Sequence, residues 1–77
     1  MEVIKVKADS APNGTLFPRS FLYQGQVFQV DSIGRRWQSE SGEHVLVMIQ
    51  PNDRVFELLY SRGVWHMRRG FSQTQAS

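Results

Sequence analysis

The chain is 77 residues long, carries 9 Lys and Arg against 7 Asp and Glu, and has no cysteine. That length holds one domain with a small core, burying only about 60–65% of what the unfolded chain exposes. Disulfides and thiolate metal sites are excluded, and His44 and His66 have no paired-ligand spacing, so neither a cofactor nor a metal is expected.

Glu2 to Lys7 sets Ile4 and Val6 against Lys5 and Lys7, the alternation of a half-buried strand. Residues 8–15 hold Pro12 and Asn13-Gly14 and read as a loop with a strong turn signal. Pro18 to Val30 reads as a hairpin turning near Gln24-Gly25, with Phe21 and Tyr23 on one face of its first strand and Phe28 and Val30 on one face of its second. Pro18 cannot donate within a ladder and marks an edge or a strand start. Asp31 to Gln38 reads as a strand bent at Gly34; the alternative is a short helical turn, from the spacing of Val30, Ile33 and Trp37. After a polar turn, Ser39 to Glu43, the strand His44 to Gln50 puts Val45, Val47 and Ile49 on one face and Leu46 and Met48 on the other. A turn at Gln50-Pro51-Asn52-Asp53 leads to Arg54–Tyr60, and Ser61-Arg62-Gly63 turns into Val64–Arg69. The expected organisation is one β domain over 1–70 and a flexible tail over 71–77.

Short strands with tight turns must hide their edges, and closing into a barrel does so. The expected fold is therefore an all-β, small antiparallel barrel of five or six strands, SH3-like, with an oligonucleotide-binding-type barrel as the alternative. The first residues lack the apolar stretch of a signal peptide, and the longest apolar run, Val45 to Ile49, is far short of a membrane span. A cytoplasmic protein with no membrane partner is expected.

Two clusters combine aromatic and basic residues: Arg35-Arg36-Trp37 and Trp65-His66-Met67-Arg68-Arg69. Arg35, Arg36, Arg68 and Arg69 suit phosphates, and Trp37 suits base stacking. The plainer reading is solvated arginine beside core tryptophan, and Trp65, with Met67 on the same face, is expected in the core. Leu46 and Met48 give the central strand a second apolar face, which is either covered or offered to a protein partner or a second copy. Glu57 alternates with apolar residues and could pair with Arg54 or with an arginine on the next strand. No Ser-His-Asp order, metal spacing or carboxylate pair points to catalysis, so an enzyme is not expected.

Pro18, Phe21, Gly25, Phe28-Gln29-Val30, Ile33, Trp37, Val45, Val47, Phe56-Glu57-Leu58 and Trp65 together resemble the pattern of a small bacterial domain family of unknown function. Some members of that family lie beside, or are appended to, Y-family translesion DNA polymerases. Tyr23-Gln24-Gly25-Gln26 departs from the aromatic and arginine usual around the first glycine. The resemblance implies a β fold and a DNA-repair setting, and carries over no activity and no binding residue. The expected function is a binding or accessory module that contacts DNA or RNA. The alternative is a protein-interaction or homodimerisation module using the apolar strand or a sheet edge.

Overall fold

Alternation of inward apolar and outward polar residues dominates the chain, and a single sheet patterned this way, with no second layer to cover it, can bury its apolar face by curling on itself. The computed structural model describes residues 1–49 and 54–72, and in it the chain does this. Six strands follow one another: β1 (Glu2–Ser10), β2 (Leu16–Tyr23), β3 (Gln26–Ser39), β4 (Gly42–Ile49), β5 (Arg54–Ser61) and β6 (Val64–Ser72). Each pairs antiparallel with its sequence neighbour, and β1 pairs with β6 to close the barrel. The expected small antiparallel barrel is thus found, with six strands. Among the described residues no helix is long and apolar enough to cross a membrane.

The core is made by Ile4, Phe21, Val45, Val47, Ile49, Phe56, Leu58, Trp65 and Met67, so Trp65 lies where expected. Phe56 anchors an aromatic cluster, with ring centroids 5.2 Å from Phe21, 5.9 Å from Tyr23 and 5.4 Å from Phe28. Gly70 passes so close that a Cβ there would lie 2.7 Å from the Phe56 ring. The hairpins at Gln24-Gly25 and Arg62-Gly63 have positive φ at both central residues, the geometry whose twist suits two-residue connections.

Residues 31–38 are strand, not helix: β3 runs for 14 residues and breaks register between Val30 and Ser32 and again between Ile33 and Arg36. Gly34 lies in the second break, where a Cβ would meet the Met48 side chain at 3.3 Å. The bend lets one strand pair with β2 at its start and with β4 along the rest.

The loop expected over 8–15 is shorter. Ala8, Asp9 and Ser10 extend β1 against Pro18, Phe17 and Leu16, past a register shift that accommodates the proline. The turn itself is closed by Ala11 N–H to Thr15 O (2.8 Å) and by Thr15 N–H to Asn13 Oδ1 (3.0 Å). Of the expected tail, Phe71 and Ser72 belong to β6, and 73–77 lie outside the described residues, as does the turn expected at Gln50–Asp53.

Candidate functional site

The outward face of β4 and β5 is less polar than an outer face usually is. Val55 and Leu59 are buried there, and so are His44 and Glu57, 5% and 3% exposed. In the β4–β5 ladder His44 faces Leu59 and Leu46 faces Glu57, so His44 and Glu57 are diagonal neighbours within reach of each other. His44 Nδ1 lies 2.8 Å from Glu57 Oε2.

A carboxylate this deep must be compensated. Glu57 Oε1 accepts from Arg69 Nε at 2.9 Å, and Arg68 Nε stands 3.9 Å from Oε2. Both arginines reach the acid because β6 bulges here: Leu58 pairs with Met67 and Glu57 with Arg69, leaving Arg68 as the extra residue. Burial pushes the Glu57 carboxyl up. The hydrogen bonds from His44 and Arg69, with their charges, outweigh that and hold it below the ordinary value of 4.5.

An ionised carboxylate opposite Nδ1 places a proton on that nitrogen. The other, Nε2, lies 2.6 Å from Ser39 Oγ, at the end of β3. In the neutral ring Nε2 accepts the serine hydroxyl proton, and in imidazolium it donates to the oxygen. Ser39 Oγ also accepts the Ser41 N–H at 3.1 Å. Trp37, directly across the ladder from His44, stacks on the imidazole with centroids 4.9 Å apart and planes 3° from parallel. The Arg35 guanidinium lies over the Trp37 ring, 5.1 Å from its centroid.

Four of the five residues singled out for nucleic acid therefore share one outer face. Arg35 and Trp37 sit at one side and Arg68 and Arg69 at the other, linked through His44 and Glu57. Arg36 does not join them. The register break before it turns it opposite inward-facing Val45, where Nε donates to Glu43 Oε2 (2.9 Å) and Nη2 to the Leu16 carbonyl (2.6 Å). Its guanidinium covers the Phe17 ring at 5.3 Å, and Nη1 is buried without a hydrogen-bond partner. Arg36 thus closes one end of the barrel. Arg54, over the Phe28 and Phe56 rings, does the same near the other end of β4.

Leu46 and Met48 also lie on the outward face of β4, but both are half-buried, tucked beneath the kink at Gly34. More exposed apolar residues lie elsewhere. Leu22 and Val27, 39% and 59% exposed, face each other across the β2–β3 ladder.

Sequence reading missed the Ser39–His44–Glu57 line. Its one signal was an acid at an alternating position of an otherwise apolar strand; the partners follow only from the hairpin register. No family model, no curated protein and no solved structure matches the chain.

Proposed function

We propose that this protein is a small binding module that contacts nucleic acid through the outer face spanning β3 to β6. Arg35, Arg68 and Arg69 meet phosphates and Trp37 meets bases. The observation that carries this reading is that Arg35 and Trp37 of one cluster and Arg68 and Arg69 of the other lie on one face. Glu57, the acid among these side chains, is buried and already paired with His44 and Arg69, so the charge that Arg35, Arg68 and Arg69 present there is positive. Arg36 is left out, because its donors are committed to Glu43 and Leu16. The DNA-repair setting rests on the family resemblance alone.

The protein-partner alternative is less well supported. Leu46 and Met48 are partly covered by β3, and the β1–β6 ladder occupies the edges that an added strand would need.

A residue-resolved NMR titration with short single- and double-stranded DNA, at low and near-physiological salt, tests the reading. Shifts should concentrate at Arg35, Trp37, Arg68 and Arg69. Arg35→Ala and Arg68→Ala should each reduce the slope of log affinity against log salt by about 0.7–0.9. An absence of shifts at low salt would refute it.

A further inference from the structure

Ser39, His44 and Glu57 form a hydrogen-bonded line running from solvent to a buried acid. The hydroxyl is 2.6 Å from one imidazole nitrogen and the carboxylate 2.8 Å from the other. We propose that Ser39 is an activated nucleophile that takes an acyl group from small activated esters, with His44 as its general base and Glu57 as the positioning residue.

The roles follow from the geometry. Glu57 fixes the Nδ1 proton, which leaves the Nε2 lone pair aimed at the serine hydroxyl. Arg69 holds the carboxylate from its far oxygen, and Trp37 stacks on the imidazole, so the ring is located from two sides. His44 and Glu57 are sheltered from water while Ser39 is exposed, the arrangement an accessible nucleophile with a protected base requires. A shallow cleft of about 610 Å³ begins at Glu40 and Ser41, the two residues after Ser39, and continues along Leu59, Val64 and His66. Ser39 and His44 lie outside its lining.

The step balances without a further reagent. Ser39 Oγ attacks the ester carbonyl carbon and its proton passes to His44 Nε2. The carbon–oxygen bond to the leaving group breaks, and the departing phenolate takes up that proton, leaving acyl-Ser39. Water, giving its proton to the same nitrogen, then attacks the acyl carbon; the bond to Oγ breaks, Oγ takes that proton back, and the acyl group leaves as the carboxylic acid. The Ser41 N–H, 3.1 Å from Oγ, donates to the nucleophile itself and not to the ester carbonyl oxygen where the oxyanion develops, so electrostatic help to the oxyanion is modest. The expected behaviour is stoichiometric acylation followed by slow release.

p-Nitrophenyl acetate is the probe, read by nitrophenolate absorbance, intact mass and peptide mapping, with folding of each variant checked by NMR. The wild type should gain one acetyl group at Ser39. Its rate should exceed that at Ser10 or Ser41 in the same sample by about a hundredfold, the low end of what a positioned general base supplies. Ser39→Ala should abolish that adduct. Folded Glu57→Gln should slow it while leaving lysine acetylation unchanged, which a general loosening of the fold would not do. Acetyl groups on amines only, Ser39 no faster than Ser10 and Ser41, or an unchanged rate in folded Glu57→Gln would each overturn the proposal. Should Glu57→Gln fail to fold, the comparison of serines within the wild type decides it.

Discussion

Replacing Glu57 by Gln keeps the shape of the side chain and removes its charge, which isolates what that charge does. Glu57 accepts from Arg69 at 2.9 Å and lies 2.8 Å from the proton-bearing Nδ1 of His44. Hydrogen bonds to charged groups are worth about 1.5–3 kcal/mol each. The Gln amide oxygen can keep the Arg69 bond without its charge assistance, and its NH2 finds an acceptor in Nδ1 when the imidazole shifts its proton to Nε2, the tautomer opposite to the one the carboxylate holds, in a site with 3% exposure. The expected loss near neutral pH is about 2–3 kcal/mol, or about 10–20 °C in Tm for a domain of this size. The loss also has a pH signature. The Glu57 carboxyl binds its proton more weakly in the folded protein than in the unfolded chain, where its value is near 4.5. Its contribution is therefore complete above that value and is lost as pH falls through the lower, folded one. The Gln variant has no such titration, so its deficit should be full at neutral pH and should shrink below pH 4.5. Urea unfolding of both proteins at several pH values measures this. A deficit of the same size in neutral and strongly acidic solution, or no deficit at neutral pH, would refute the paired-carboxylate account.

The interior offers sharper steric tests. Gly70→Ala should cost about 1–3 kcal/mol in a thermal melt, because the new Cβ would sit 2.7 Å from the Phe56 ring. Combining it with Phe56→Leu should cost less than the sum of the two single changes, since the smaller side chain removes the collision. Phe56→Ala empties the centre of the aromatic cluster and should cost about 3–5 kcal/mol, enough to leave much of so small a domain unfolded by circular dichroism.

Where a residue's environment is set by its own strand, the sequence was legible. Val45, Val47 and Ile49 alternate on the inward side of β4, Phe56 and Leu58 on that of β5, and all five lie in the core. Gly34 marked the bend in β3 because an isolated glycine within a strand pattern has few other uses. Ala8, Asp9 and Ser10 were missed because their strand character comes from pairing with β2, while their polarity and the nearby Pro12 imitate a loop. The site was half legible for a similar reason. Composition marked Arg35, Trp37, Arg68 and Arg69 singly, but strand alternation sets Arg36 opposite to Trp37, the register break before Arg36 decides that it is the one facing inward, and another break turned Arg68 and Arg69 toward Glu57. The depth of Glu57 and its diagonal contact with His44 depend on how β4 and β5 align, which neither strand reveals alone.

The closure of the barrel has a consequence for how the chain assembles. Five of the six ladders join strands adjacent in sequence, and each can form with a short loop closed. The β1–β6 ladder joins the first strand to the last and has three registered pairs, Glu2 with Met67, Val3 with His66 and Ile4 with Trp65. Nearly all the long-range loop-closure entropy is therefore concentrated in one short seam. The curled sheet is a series of hairpins that is closed where Ile4 meets Trp65. While that seam is unformed, the strands on either side of it are two open edges of complementary register, and a second copy of the chain offers them the same partners.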